Sequence, residues 1–260
     1  MSSGVQTEPS ENRQNTQLIV STRFDSQIDA AKTAFRLGIF GGTFDPIHYG
    51  HLHIAEMARQ QFELDGVLFI PTGKPVHKAH SRISDVEDRY IMLLEAIAGN
   101  KQFDASRIEI DRGGTTYTID TIRALHARYL DHAELFFIVG SDTAADINTW
   151  KDAGEIVKLV TILCAKRADS PDEEQTTPER DWGFDPKYIE ASLIDISSHE
   201  LRKLVQAGRN IQYLVPDAVC SYIQKQGLYQ KSPQELLFQE QYFGEEYDRL
   251  LEEAQQQEDS

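Results

Sequence analysis

Residues 37–51 read LGIFGGTFDPIHYGH, and this stretch decides the fold. Its apolar start is typical of a buried strand in a parallel sheet. The glycine pair that follows lets the backbone approach a ligand closely, and Asp45-Pro46 predicts a turn. From His48 to Phe62, apolar residues recur at helical spacing. This order predicts a phosphate site, because a helix N-terminus presents free N–H groups and a positive dipole end.

Two histidines stand at the start of this helix. His48 and His51 are three positions apart, so we expect their imidazoles on one face of the helix. Imidazole N–H groups donate hydrogen bonds, and both rings can therefore reach the same polyphosphate. A helix cap or a surface position explains a single histidine here. It does not explain two histidines, two glycines and a turn within one short window.

The remaining segments alternate between strand and helix patterns. This alternation predicts an α/β fold, a Rossmann-like doubly wound parallel sheet with helices on both faces. Ligands bind such sheets at the carboxyl ends of the strands, where every candidate motif falls. Strands are predicted at 67–70, 107–110, 134–139, 159–165 and 189–194, and helices at 86–98, 117–129, 200–206 and 217–226. Residues 168–187 lack periodicity and predict a surface loop.

Composition bounds the class of protein. The chain has 260 residues and 40% hydrophobic content, which suits one globular α/β domain with extensions. No apolar run is long enough to span a membrane, and no secretory signal is visible. Two cysteines without metal or redox spacing fit a cytoplasmic location. The net charge of −16 argues against nonspecific binding to nucleic acid.

Charge and polarity divide the chain into three parts. Residues 1–35 are polar and predict a mostly disordered leader, with a possible edge strand at 17–20. Residues 36–230 form the predicted domain. Residues 231–260 form an acidic tail, in which apolar residues at helical spacing predict an amphipathic helix over 233–254. Such a helix has to cover its apolar stripe on the body, on a second copy of the chain or on a partner.

Two further segments follow predicted strands. Residues 196–202 read ISSHELR, where a serine at a helix start and Arg202 one turn later can form a second phosphate cradle. An N-cap with a surface arginine explains the same pattern. Gly140 and Asp142 follow the strongest predicted strand, with Trp150 eight positions after Asp142. Taken alone, Trp150 fits a core position at least as well as a ligand platform.

Residues 48–51, HYGH, resemble the (H/T)xGH signature of nucleotidylyltransferases. The longer string GGTFDPIHYGHL at 41–52 resembles the corresponding stretch of the nicotinate mononucleotide adenylyltransferase family. The resemblance covers about residues 36–230. Residues 196–202 are similar to the family's ISSTxxR motif, with His199 in place of Thr. Residues 140–150 are similar to its GxDxxxxLxxW stretch, with Ile147 in place of Leu.

Two loops carry the same resemblance. Residues 75–78, PVHK, are similar to the family's PPHK loop, with Val76 in place of the second proline. Residues 114–118, GTTYT, resemble its G-x-(S/T)-Y-T element, whose backbone amides receive the nicotinate carboxylate in the family. Arg89 fits an arginine in the family's helix after the first loop, as a supporting residue.

The resemblance implies adenylyl transfer from ATP to nicotinate mononucleotide, which gives deamido-NAD and pyrophosphate in NAD synthesis. The residues expected to act in catalysis are His48, His51 and Arg202. Those expected at ATP are Gly41, Gly42, Thr43, Phe44, Gly140, Asp142, Ile196, Ser197 and Ser198. Those expected at the mononucleotide are Asp45, His77, Lys78, Thr118 and Trp150.

No metal-ligand cluster is visible, because His48 and His51 have no third partner at useful spacing. Mg²⁺ is expected to arrive with ATP, held by phosphates and water. Three alternatives stay open: an adenylyltransferase for nicotinamide mononucleotide or a pantetheine phosphate, and a nucleotide-binding module without turnover. A class I aminoacyl-tRNA synthetase is disfavoured, since no KMSKS-like loop is present. Neither a nucleic acid nor a membrane is an expected partner, and a homo-oligomer stays possible.

Overall fold

The computed structural model describes residues 22–31, 33–74, 83–165, 183–192 and 194–230. Six parallel strands form one sheet in the order β3-β2-β1-β4-β5-β6, which confirms the predicted fold class. Central pairing fixes the register, with Ile39 opposite Leu68 on one side and Phe137 on the other. The strands are β1 (Phe35–Gly42), β2 (Gly66–Pro71), β3 (Phe103–Ala105), β4 (Ala133–Gly140), β5 (Thr161–Ala165) and β6 (Lys187–Ile189).

Helices cover both faces of the sheet, and two 3-10 turns (Leu130–His132 and Ile147–Thr149) connect elements on one side. The α-helices are α1 (Asp25–Ala30), α2 (Tyr49–Gln61), α3 (Val86–Ile97), α4 (Ile108–Arg112), α5 (Thr118–Tyr129), α6 (Ser141–Asp146), α7 (Ala153–Leu159), α8 (Ser198–Gln206) and α9 (Asp217–Gln226). Within the described part of the chain, no helix combines the length and apolar character needed to cross a membrane.

The two cores follow from alternation along the strands. In β4, Phe136 and Ile138 face the core beneath α2, α3, α8 and α9, whereas Leu135, Phe137 and Val139 face the core beneath α1, α5 and α7. Both sets are buried because helices lie on both sides, so the strand reads as a continuous apolar run.

Three predicted strands need correction. Residues 107–110 lie mostly in α4, and the strand of this region is β3. Ile108 and Ile110 alternate as they would in a strand, but they belong to a short helix in which the Asp111 N–H donates to Arg107 O at 2.8 Å. The strand predicted over 159–165 begins at Thr161, since Leu159 ends α7.

The last strand lies earlier than predicted. It spans Lys187–Ile189 rather than 189–194. Beyond it the Gln61 side chain takes over the pairing, as the Glu190 N–H donates to Gln61 Oε1 at 2.9 Å. The ladder therefore ends where a side chain of α2 replaces the next strand partner.

The leader prediction is corrected for residues 22–31, which are folded onto the body. Phe24 and Ile28 are buried in the core beneath α5, and Asp25 accepts a hydrogen bond from the Tyr129 hydroxyl at 2.9 Å. The Phe24 ring fills the space beside Gly66, where a Cβ atom would lie 2.6 Å from Phe24 Cζ. The earlier leader residues, including 17–20, and the tail lie outside the described residues.

Candidate active site

The stretch around residues 41–51 lies at the carboxyl edge of the sheet, as predicted. β1 ends at Gly42, a turn with a cis Asp45-Pro46 bond follows, and α2 begins at Tyr49 with His48 as its extended N-cap residue. β1 lies between β2 and β4, and the strand order reverses direction from this point. Open α/β sheets bind ligands at this kind of switch point.

The two histidines lie together, as their spacing predicts. The ring centroids of His48 and His51 are 3.7 Å apart and the planes are inclined by 30°. The Nδ1 atoms of both rings are buried, and among the described residues they have no hydrogen-bond partner. A buried nitrogen without a hydrogen-bond partner is costly in a folded protein, so the pair holds polar groups that the described residues leave unsatisfied.

Burial sets the charge of this histidine pair. Desolvation lowers the pKa of His48 from 6.5 to about 4. Burial, and then repulsion from His48, lowers the pKa of His51 well below its usual value. Both rings are therefore neutral at pH 7 and act as hydrogen-bonding groups in the free protein.

This low pKa predicts a loss of stability in mild acid. His48 has a lower pKa folded, about 4, than unfolded, 6.5, so the unfolded chain binds more protons between these values. Stability from the neutral ring is present above pH 6.5 and is lost as the pH falls towards 4. We expect His48 alone to remove about 2 kcal/mol of unfolding free energy between pH 7 and 5.

Denaturant unfolding of wild type and His48→Gln at both pH values measures this effect. The variant should show a shallower pH dependence, whereas His199→Gln, which replaces an exposed histidine, should behave like wild type. Equal pH dependence in wild type and His48→Gln would contradict the assignment.

Close packing fixes the position of both rings. A Cβ atom at Gly50 would lie 3.0 Å from His48 Nδ1 and 3.3 Å from the Ile194 carbonyl oxygen, so glycine is required for this fit. The Phe44 ring packs edge-on against His51, with centroids 5.1 Å apart. Phe44 is buried, and its backbone adopts a φ of 49°.

The Asp45 side chain has different surroundings from those expected of a mononucleotide contact. It is 2% exposed, and its Oδ1 accepts a hydrogen bond from the Tyr229 hydroxyl at 2.7 Å. Its Oδ2 accepts from the Ser84 N–H at 3.2 Å. Both oxygens are thus engaged within the protein, and Asp45 holds the turn together.

The segment at 196–202 meets the same turn, which confirms that two distant motifs lie side by side. Arg202 Nη1 donates to the Asp45 carbonyl oxygen at 2.7 Å, and Ser198 Oγ donates to the Pro46 carbonyl oxygen at 2.9 Å. Ser197 caps α8 by accepting from the Glu200 N–H at 3.2 Å. Thus the capping interpretation applies to Ser197, while Ser198 and Arg202 face the turn.

The flanking residues of this segment differ in exposure. Ile196 is partly buried and packs against the core beneath α2. The His199 side chain is 65% exposed, so its replacement of threonine falls on the solvent side of α8.

Arg89 connects the turn to the loops beside it through hydrogen bonds. Its side chain is 1% exposed and donates to the carbonyl oxygens of Thr43 at 2.7 Å and Thr72 at 2.8 Å. It also donates to the carbonyl oxygens of Gly73 and Ser84. A buried guanidinium with this set of acceptors joins the ends of β1 and β2 to the start of α3.

The two segments expected to contact the pyridine ring, at Thr118 and at Trp150, lie near each other. Thr118 begins α5, and Trp150 follows a 3-10 turn and packs edge-on against Phe137 of β4 at 6.1 Å. Lys151 links them, since its Nζ lies 4.5 Å from the Tyr117 ring centroid and 3.6 Å from an Asp120 carboxylate oxygen. Trp150 is half-buried, so one side packs on the core while its remaining surface stays accessible.

Glu109 is a residue that the sequence reasoning missed. Burial raises its pKa, and its carboxylate accepts from Thr121 Oγ1 at 2.9 Å and from the Gly73 N–H at 3.4 Å. Thr116 reaches the same loop by donating to the Lys74 carbonyl oxygen. Glu109 therefore joins the end of β2 to the 114–118 element, and no local pattern signals such a link.

Several predicted residues are not placed. His77 and Lys78 lie outside the described residues, and so does the Asp142 side chain, although its backbone belongs to α6 next to Gly140. Among the described residues, no group of three or more histidine, cysteine, aspartate or glutamate side chains is arranged to hold a metal ion. Asp45 is engaged by protein donors, and thus the described residues do not fit a dedicated Mg²⁺ site.

Comparisons with known proteins identify the family of the chain. The cytidylyltransferase-like family model matches residues 39–204. A curated protein of Corynebacterium kroppenstedtii, named a probable nicotinate-nucleotide adenylyltransferase, is 47% identical over 200 residues, which cover 76% of this chain and 93% of that protein. A protein of the same name from Thermoanaerobacter is 44% identical over 200 residues, covering 75% and 95%.

A solved structure shows the same fold at lower identity. Plasmodium falciparum nicotinic acid mononucleotide adenylyltransferase complexed with NaAD aligns with a TM-score of 0.59 at 20% identity, covering 75% of this chain and 97% of that one. The family model spans more than half of the chain, and the relatives are matched nearly end to end. The chain therefore belongs to the cytidylyltransferase-like family and, within it, to the nicotinate-nucleotide adenylyltransferases.

Proposed function

We propose that the protein transfers the adenylyl group of ATP to nicotinate mononucleotide, releasing pyrophosphate. The observation that carries the proposal is the stacked pair His48 and His51, with unpartnered buried nitrogens, beside a turn that Arg202 and Ser198 hold. Two imidazoles, a guanidinium and a hydroxyl converge at the switch point of the sheet. Such a set of donors suits a triphosphate.

The chemistry needs alignment rather than a covalent intermediate. A phosphate oxygen of the mononucleotide attacks the α-phosphorus of ATP. The bond from the α-phosphorus to the oxygen that bridges the α- and β-phosphates breaks, and pyrophosphate leaves with that oxygen. Positioned donors lower the barrier by stabilising charge on the oxygens of the transition state.

The residues divide these tasks. His48 and His51 donate to the α- and β-phosphates, and the nearby polyphosphate raises their pKa values, because an opposite charge favours the protonated ring. Arg202 and Ser198 stabilise the departing pyrophosphate. The backbone at Gly41, Gly42, Thr43 and Phe44 and the segment at Gly140, Asp142, Ile196 and Ser197 form the surroundings of the nucleotide. Mg²⁺ arrives with ATP, held by phosphates and water.

The mononucleotide lies on the side of Trp150 and Thr118. The indole stacks on the pyridine ring, and backbone N–H groups beside Trp150 and at the start of α5 receive the carboxylate. His77 and Lys78 are assigned to its phosphate. Asp45 holds the turn beside this position, and its assignment to the mononucleotide stays a prediction.

Pyrophosphate release from ATP with each acceptor in turn tests the function. We expect release with nicotinate mononucleotide and much less with nicotinamide mononucleotide or a pantetheine phosphate. Fast release with a pantetheine phosphate would support that alternative activity. No release with any acceptor, while ATP binds, would support a nucleotide-binding module without turnover.

Specificity yields a quantitative prediction. The nicotinate carboxylate accepts hydrogen bonds with both oxygens, whereas the amide NH₂ of nicotinamide would leave a buried donor unpaired, at about 1–3 kcal/mol. We expect kcat/KM for nicotinate mononucleotide to be at least about tenfold higher. Trp150→Ala should raise KM for the mononucleotide and leave KM for ATP nearly unchanged. Equal use of both mononucleotides would contradict this specificity.

The remaining assignments complete the proposal. The reaction takes place in the cytoplasm, a location supported by the two cysteines, Cys164 and Cys220, which lack metal or redox spacing. The domain ends near residue 230, and the acidic tail contributes nothing to catalysis. Removal of the chain from residue 231 onward should leave turnover unchanged, and loss of activity in that truncated chain would contradict this division.

A further inference from the structure

Tyr229 connects the end of the folded body to the phosphate turn. Gly227 ends α9 in the left-handed conformation, and the Leu228 N–H closes the helix end on Ile223 O at 3.0 Å. Tyr229 follows with φ of 63°, a value that non-glycine residues rarely adopt. This bend brings its hydroxyl to Asp45 Oδ1 at 2.7 Å, across 184 positions of sequence.

The Asp45 carboxylate is an anion that needs donors. It is 2% exposed, and besides Tyr229 it accepts only the Ser84 N–H among the hydrogen bonds of the described residues. Arg202 Nη1 is 4.0 Å from Asp45 Oδ2 but donates instead to the Asp45 carbonyl oxygen at 2.7 Å. Arg202 thus has two competing acceptors on one residue.

We propose that Tyr229 is a positioning residue that keeps Arg202 available for the polyphosphate. The phenol satisfies the Asp45 carboxylate, so the guanidinium stays on the Asp45 backbone carbonyl oxygen. Without the phenol, the carboxylate would draw Arg202 into a buried ion pair, away from the departing pyrophosphate. This inference rests on the proposed function of Arg202.

Burial and the neighbouring Asp45 raise the pKa of Tyr229 above its usual value of 10.0, in agreement with this geometry. The hydroxyl is therefore a permanent donor throughout the pH range in which the enzyme would be assayed. Arg202 lies close enough to contribute the opposite influence, and the net shift is still upward.

Tyr222, which lies within α9, provides a control. Its hydroxyl donates to Asp88 Oδ1 at 2.8 Å and ties α9 to α3, away from the turn. Tyr222→Phe and Tyr229→Phe each remove one tyrosine–aspartate hydrogen bond of nearly equal length. A merely structural role of Tyr229 predicts that each variant changes stability without a specific loss of kcat.

The test measures pyrophosphate release at saturating ATP and nicotinate mononucleotide, together with the melting temperature. We expect Tyr229→Phe to lower kcat about tenfold, the lower end for a hydrogen bond to a charged group, with less than about twofold change in either KM. Tyr222→Phe should keep kcat within about twofold. In an Arg202→Ala background, Tyr229→Phe should add less than about twofold.

Each other outcome decides against the proposal. Unchanged kcat in Tyr229→Phe, equal losses in both phenylalanine variants, or multiplying effects with Arg202→Ala would overturn it. Failure of Tyr229→Phe alone to fold would assign Tyr229 to folding only. A wild-type protein without pyrophosphate release would instead overturn the proposed function, and this inference with it.

Discussion

His51→Ala is expected to lower kcat by about 10²–10³ while the protein stays folded. The ring is one of two preorganised donors in a buried site, and loss of a single such donor typically costs this much. Arg202→Ala should fall in the same range, because it removes the donor beside the Asp45-Pro46 turn. Steady-state pyrophosphate release at saturating ATP measures both effects.

His199→Ala is the matched control for His51→Ala. It removes a histidine of the neighbouring motif whose side chain is 65% exposed, and we expect kcat close to wild type. Circular dichroism and the melting temperature establish that each variant is folded. Wild-type turnover in His51→Ala or in Arg202→Ala would show that the assignment of that residue is incorrect.

Arg89→Met is expected to reduce the free energy of unfolding by at least about 3 kcal/mol. Methionine fills part of the volume but donates nothing, so the buried carbonyl oxygens of Thr43 and Thr72 lose their donor. The free energy comes from leaving those acceptors unpaired and from losing a buried cation that the carboxylates of Asp45, Asp85 and Glu109 attract. Urea unfolding at pH 7, with the midpoint and slope fitted together, measures the change.

Arg123→Met is the control, since Arg123 is exposed and, among the described residues, forms its ion pairs with Asp120, Asp152 and Glu155 on the surface. Its unfolding midpoint should shift far less than that of Arg89→Met. If the two variants unfold at the same denaturant concentration, the claim that the Arg89 hydrogen bonds stabilise the fold is incorrect.

The sequence was sufficient for the parts of the site that depend on local spacing. The turn after β1, the closeness of His48 and His51 at the start of α2, and a serine cap before α8 all follow from patterns within one or two turns of chain. The helix α8 itself begins at Ser198, two residues earlier than predicted. The fold class follows equally well, because strand and helix patterns alternate over the whole body. Parallel sheets then bring the carboxyl ends of strands together.

The rest depends on contacts between distant residues. Nothing near Asp45 in the sequence indicates that a tyrosine 184 positions later will occupy its carboxylate. Glu109 lies between Ile108 and Ile110, in a pattern that predicts a strand. So short an alternation also fits a short helix, and the tertiary contacts decide between the two. The N-terminal residues 22–31 are polar enough to predict disorder, and their place becomes visible only through distant contacts, such as Phe24 against Gly66 and Asp25 with Tyr129.

The fit of Phe24 beside Gly66 gives the N-terminal segment the character of a tethered ligand. A glycine on β2 leaves a hole in the core, and an aromatic ring from another part of the chain fills it. Covalent attachment keeps that ring at a high effective concentration, so a modest intrinsic affinity is enough for full occupancy. A domain boundary drawn at residue 39, where the family match begins, would remove this ring together with the first residues of β1.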